Sequence, residues 1–167
     1  MRLREVRPDD LAALVAIGPD REAYLAYGGD PARDPAGGED WARTILDRFT
    51  VAPWGRIIEL EGRLAREIRL HGVTQDNSAR LALGLFRPEA RGRGLGRAAI
   101  VRALDHAFGP LALHRVELRV LAANARAIRC YEASGFRHEG RLRDAARIGA
   151  GYADDLVMAI LAIDPRA

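Results

Sequence analysis

Lysine is absent from all 167 residues, so each of the 26 basic side chains is an arginine. A P-loop needs a lysine directly after its last glycine, and that class of phosphate site is excluded. Cysteine occurs once, at Cys130, which rules out an internal disulfide; within a helical pattern it reads as a small packed hydrophobe rather than a nucleophile. The only serines are Ser78 and Ser134, neither inside Gly-x-Ser-x-Gly, and the histidines at 71, 106, 114 and 138 lack metal-ligand spacing. Hydrolase and metalloenzyme chemistry fall away, and no metal is expected. No apolar run is long enough to span a bilayer, and Met1-Arg2-Leu3-Arg4-Glu5 opens without a signal-peptide core, so a cytoplasmic protein without a membrane partner is expected. The 23 acidic residues are interspersed among the arginines, leaving a formal charge of +3 with no block of one sign, and no nucleic-acid partner is expected. A 49% hydrophobic composition suffices for one good core, and residues 1–167 read as one domain.

What is present is organised around Arg91-Gly92-Arg93-Gly94-Leu95-Gly96. Before it, the apolar run Leu81 to Phe86, between turn-prone Asp76-Asn77-Ser78 and Arg87-Pro88, reads as a buried strand. After it, Ile100, Val101, Leu104, Ala107 and Phe108 recur at helical spacing until Gly109-Pro110. Strand, glycine-rich turn and helix in that order set unhindered backbone N–H groups at the positive end of a helix dipole, which is an anion site suited to phosphate. A Rossmann fingerprint starting at Gly92 would need its third glycine where the larger Arg97 stands, obstructing close helix-to-strand packing, and is disfavoured. The arginines at 87, 91, 93 and 97 cluster beside the loop, where planar forked donors suit phosphate oxygens. A glycine-rich turn that merely caps a helix is the bland alternative.

Taken in order, Leu3 to Val6 reads as a strand, and Pro8-Asp9-Asp10 opens a helix carrying Leu11, Leu14, Val15 and Ile17. Helical patterns around Glu22 to Tyr27 and Asp40 to Phe49 follow, flanked by loop compositions. Tyr24, Tyr27, Trp41 and Trp54 are read as core more readily than as a pocket lining. Arg56 to Leu60 and Leu64 to Leu70 form a hairpin about Glu61-Gly62-Arg63, with Leu64, Ile68 and Leu70 on one face and Glu67 and Arg69 on the other. With the run 81–86 this makes a three-stranded antiparallel meander. His114 to Leu121 alternates as a half-buried strand, Asn124 opens a helix that Gly135 ends, and runs around Arg137 to Leu142 and Asp155 to Ile160 are joined through Gly149 to Gly151.

The loop resembles motif A of the GNAT acetyltransferase superfamily, Arg/Gln-x-x-Gly-x-Gly/Ala, matched by Arg91, Gly94 and Gly96. The string from Asn124 to Phe136 resembles a second hallmark, Asn-x-x-Ala-x-x-x-Tyr-x-x-x-Gly-Phe. The tail, with Gly140, Arg141 and Asp155, is similar to the branch that acetylates ribosomal-protein N-termini and to its small-molecule relatives. The resemblance implies an α/β (α+β) fold, a single GNAT domain with a mixed, mostly antiparallel central sheet and helices on both faces.

It also implies the ligands and roles. Acetyl-coenzyme A would be the co-substrate, its pyrophosphate held on amides of the loop Arg91, Gly92, Arg93, Gly94, Leu95, Gly96 and Arg97. Its pantetheine would pair along a splayed strand edge at Gly84, Leu85 and Phe86. Asn124 would meet the pantetheine arm while also serving as a helix N-cap. Tyr131, seven residues on and on the same helix face, would be the general acid for the departing thiolate, the alternative being a core tyrosine. Relatives of this type often carry a glutamate just before the position of Val120, where this chain has Arg119. Glu117, two residues earlier on the same strand face, is the substitute base, against a plain surface role; Glu67 and Asp154 are reserves. The expected reaction is direct attack by a primary amine on the acetyl group in a ternary complex, with a protein N-terminus, amino acid, polyamine or aminoglycoside as acceptor and residues 18–54 building its pocket. The rival from another class is a non-catalytic acyl-coenzyme A sensor. Association into a homodimer is compatible with the sequence.

Overall fold

Ile57 and Ile58 are neighbours on one strand, so their side chains point to opposite faces of its sheet, and both are fully buried. That sheet must be covered on both sides. The computed structural model describes residues 1–26, 30–33, 36–85 and 94–165. Its strands are β1 (Arg2–Arg4), β2 (Trp54–Leu60), β3 (Arg63–His71), β4 (Ser78–Leu85), β5 (Arg115–Leu121), β6 (Arg137–Ile148) and β7 (Gly151–Leu161). They form one sheet in the order β1-β2-β3-β4-β5-β7-β6, antiparallel at every neighbouring pair except β4 with β5, which is parallel. The helices are α1 (Asp10–Ile17), α2 (Arg21–Ala26), α3 (Glu39–Thr50), α4 (Leu95–Phe108) and α5 (Ala125–Glu132). The mixed, mostly antiparallel sheet with helices on both faces is therefore as expected.

On one face α4 and α5 close the larger core, with Ala99, Ile100, Leu104 and Tyr131 packed among Ile58, Ile68, Leu70, Leu81, Val116, Leu118 and Met158. On the other, Leu14 of α1 and Ala42 and Ile45 of α3 cover Ile57 and Leu64. The entry to α1 is tied down by charge. Asp10, 2% exposed, takes both forks of Arg4 at 2.6 and 2.8 Å and the backbone N–H of Arg7 at 2.7 Å, while Arg4 Nε reaches Glu59 at 2.7 Å.

Three readings need correction. Leu64 does not share a face with Ile68 and Leu70: the register shifts at Ile58/Glu59, so a bulge at Ala65 returns Leu64 to the α3 face beside Ile57. Period-2 alternation fails across a bulge because two residues there oppose one. The first strand is Arg2–Arg4, not 3–6, since its pairing with Ile57 to Glu59 ends at Arg4, where the chain turns toward α1. The last two strands are longer than the runs read from the sequence and join as a hairpin with Ile148 facing Gly151, interrupted by register shifts at His138/Gly140 and Leu142/Ala146; the outer half of β6 carries mostly exposed polar residues, which give no apolar pattern to read. Of the aromatics, Trp54 is core and stacks on His106 at 5.4 Å, and Trp41 packs against the second core. The Tyr24 hydroxyl accepts the Asp30 N–H at 2.9 Å, and Tyr27 lies outside the described residues.

Candidate active site

The parallel pairing of β4 with β5 extends only over Ser78–Arg80 against Arg115–Glu117. Beyond it β4 remains laddered to β3 as far as Leu85 opposite Arg66, but its other edge has no strand partner among the described residues. The two strands part, and a stretch of backbone N–H and C=O containing Gly84 and Leu85 faces the opening. Helix α4 begins close in sequence to the end of β4, and its N-cap is Gly94 in the left-handed region, φ 70° and ψ −2°. A side chain at Gly94 would meet no atom of the described residues within 4 Å, so glycine is needed there for its backbone conformation. The first-turn N–H groups of an α-helix lack intrahelical acceptors, and here Leu95 and Gly96 are buried while Arg97 is exposed. Phe86, Arg87, Arg91, Gly92 and Arg93 lie outside the described residues.

Across the opening, β5 leads into α5. Asn124 is its N-cap, Oδ1 accepting the N–H of Ala127 at 3.2 Å. Gly135, at φ +93°, ends the helix, and the Phe136 N–H returns to the carbonyl of Tyr131 at 3.1 Å. Tyr131 is 6% exposed and meets the edge of Phe136 with ring centroids 5.9 Å apart. Its ring is thus a core element at the position where the resemblance implies a proton donor.

The acids separate by environment. Glu117, the expected base, sits where β4 and β5 are still paired; Arg80 donates to it at 3.0 Å and Arg115 at 3.2 Å. The Arg80 hydrogen bond holds its carboxyl below the ordinary range, overcoming a lesser upward pull from partial burial, with Arg115 adding to the fall. A carboxylate engaged on both oxygens by arginines, at the end where β4 and β5 remain paired, has its proton affinity lowered, which counts against Glu117 as a base. Asp154 is likewise spoken for, by the Asp144 N–H at 2.9 Å and Arg141 at 2.6 Å, which hold its carboxyl low. Glu67 differs. It lies on the α3 face opposite Gly84, 4% exposed, and burial pushes its carboxyl upward against the opposing pull of Arg69 and Arg48.

Among the described residues, no group of three His, Cys, Asp or Glu side chains could hold a metal ion, and no helix is long and apolar enough to cross a membrane. Residues 1–137 match the family model of the acetyltransferase (GNAT) domain. The chain belongs to the GNAT acetyltransferases. Spermidine N(1)-acetyltransferase of Vibrio cholerae serotype O1 is 40% identical over 77 residues, 46% of this chain and 44% of that protein. The chain spans about half the length of the curated relatives it matches. Among solved structures, spermidine N-acetyltransferase from Vibrio cholerae in complex with CoA and spermine superposes with a TM-score of 0.78 at 26% identity, covering 96% of this chain and 94% of that one. Mycobacterium smegmatis RimJ in complex with CoA-disulfide gives 0.78 at 26% identity, covering 95% and 80%.

Within this GNAT chain, Gly84, Leu85, Gly94, Leu95, Gly96 and Arg97 flank one side of the parting strands, and Asn124 and Tyr131 belong to the helix that follows the other. The burial of Glu67 is what the strand pattern alone does not show. Its signal was present in α3, where Trp41, Ile45 and Phe49 recur at helical spacing: such a helix must cover a sheet face, and the face left for it is the one bearing Glu67.

Proposed function

We propose that this GNAT chain transfers the acetyl group of acetyl-coenzyme A to a primary amine, by direct attack within a ternary complex. The observation that carries the reading is the parting of β4 from β5 beside a helix that opens on a left-handed glycine. A β4 edge without a strand partner among the described residues can take an extended amide-bearing arm as an added strand, held at Gly84, Leu85 and Phe86. The α4 N-terminus, with the loop from Arg91 to Arg97, suits the phosphates that follow such an arm. Acetyl-coenzyme A supplies an activated thioester; the chain's own part is to grip it, orient the carbonyl and manage protons. Asn124 positions the arm, and Tyr131 gives its proton to the sulfur as the thiolate leaves.

The acceptor class follows from the relatives as a starting panel: polyamines, because a spermidine acetyltransferase is among them, and peptide N-termini, because RimJ superposes as well. Amino acids and aminoglycosides complete it. Thiol release from acetyl-coenzyme A is expected with at least one of these amines and not without amine. Thermal stabilisation by acetyl-coenzyme A with no thiol release across the panel would replace catalysis with the sensor reading.

A further inference from the structure

Glu67 is buried to the point of 4% exposure, yet among the described residues its Oε2 receives no hydrogen bond. The nearest cations stand off: Arg69 Nε is 3.9 Å from Oε2, and Arg48 of α3 is 3.8 Å from Oε1. Neither distance is a hydrogen bond, and Arg69 Nε is itself buried without a hydrogen-bond partner among the described residues. A carboxylate kept for structure closes on its cation, as Asp10 does on Arg4 at 2.6 Å in this same molecule. Leaving buried polar groups unsatisfied costs stability, and such groups concentrate at functional sites.

The register sets Glu67 opposite Gly84. A Cβ at Gly84 would lie 2.6 Å from Glu67 Cγ and 2.7 Å from Oε1, so the side chain from β3 rests where a side chain of β4 would otherwise stand. Its carboxylate therefore lies over the strand whose far edge borders the opening. We propose that Glu67 is the proton acceptor for the amine, a role that rests on the acetyltransferase function proposed above. Among the described residues of the elements packed around it, the charged groups facing it are Arg69 of β3 and Arg48 of α3; Ile57 of β2 and Gly84 of β4 bring none. Burial raises its carboxyl above the ordinary 4.5, against those two arginines, which makes it a stronger base than a solvated glutamate.

The step balances. An alkylammonium gives one proton to Glu67, and the freed nitrogen attacks the thioester carbonyl carbon. The C–N bond forms, the C–S bond breaks, and the second N–H proton balances the thiolate, which leaves as the thiol. Glu67 then returns its proton to solvent, so ammonium and thioester become amide, thiol and one proton.

The test uses the full chain with an amine that the wild type acetylates, comparing wild type and Glu67→Gln. Turnover is expected to fall by about 10²- to 10⁴-fold in Glu67→Gln with acetyl-coenzyme A affinity retained, and the acid limb of the wild-type pH profile should vanish. A second readout needs no substrate. Because the folded carboxyl titrates above 4.5, wild type loses stability as pH rises past that value. Glu67→Gln should therefore melt higher near pH ~7 and equal wild type in acid, where the wild-type Glu67 carboxyl is protonated in both the folded and the unfolded state. Unchanged turnover and profile in Glu67→Gln would overturn the assignment alone, as would a lower melting temperature, which marks a structural ion pair. Loss of turnover in Asp155→Asn but not Glu67→Gln would move the role to β7. A wild type that acetylates no amine would overturn both this role and the function beneath it. If Glu67→Gln does not fold, Glu67→Asp takes its place: keeping the carboxylate but drawing it back from Gly84, it should lower turnover while preserving an acid limb, and full turnover would overturn the role.

Discussion

Replacing Gly84 by alanine adds a single carbon 2.6 Å from Cγ of Glu67 and 3.1 Å from its Cδ. Contacts under 3.0 Å do not persist, so either β4 or the Glu67 side chain must move, and Glu67 is enclosed by α3 and the sheet. Overpacking of this kind costs roughly 1–3 kcal/mol. The backbone itself offers no objection, since Gly84 is not in the left-handed region. In a Glu67→Ala background the obstruction is gone, and alanine should be neutral or stabilise by about 0.4–1 kcal/mol through the unfolded chain. Urea unfolding followed by tryptophan fluorescence on the four members of this cycle gives a coupling energy between the sites, expected at roughly 1–3 kcal/mol. A coupling below about 0.5 kcal/mol would show that Glu67 does not rest on Gly84, and would remove the geometric basis for its catalytic role.

Three other outcomes are expected. Asp10→Ala leaves Arg4 buried without its main partner and should cost about 3–5 kcal/mol in urea unfolding. Burial pulls the Asp10 carboxyl up, but the Arg4 and Arg7 hydrogen bonds outweigh it and hold it below 3.8, so its contribution is complete above that pH and lost as pH falls through the lower folded value; Asp10→Ala should flatten the acid limb of a melting-temperature profile. Gly94→Val places a branched side chain at φ 70°, costing about 1–2 kcal/mol and weakening acetyl-coenzyme A in calorimetric titration, whereas undiminished affinity in a folded variant would refute the loop assignment. Tyr131→Phe keeps the packing on Phe136 and removes only the hydroxyl, so affinity should survive while turnover at saturating cofactor falls by about 10²- to 10⁴-fold; retained turnover would return Tyr131 to the core.

Helix α5 is legible in the sequence because its signals are local. Asn124 bonds the N–H three residues ahead, and Gly135 supplies the left-handed stop, with no distant partner required. The same holds for Gly94 before α4. What escapes a linear reading depends on register and on contacts between distant residues. The bulge at Ala65 flips Leu64 to the face beside Ile57, and nothing in the local alternation announces it. Glu117 looks like a strand carboxylate free for chemistry until Arg80, 37 residues earlier, is placed beside it by the parallel pairing. Glu67 reads as solvent-facing until α3 is known to lie over it. Within residues 18–54, where the acceptor pocket is expected, α3 is placed by packing with α1 over Ile57 and Leu64 and not by its own periodicity alone.

The central claim, acetyl transfer to an amine across the opening between β4 and β5, is tested most directly by incubating the chain with acetyl-coenzyme A carrying an isotopically labelled acetyl group and a mixture of polyamines, amino acids and short peptides, then analysing the products by mass spectrometry. The account predicts that label appears on an amine nitrogen in one-to-one proportion with free thiol and that Gly94→Val suppresses both together. Free thiol accumulating without any labelled amine, or labelled amine forming equally well with Gly94→Val, would contradict it.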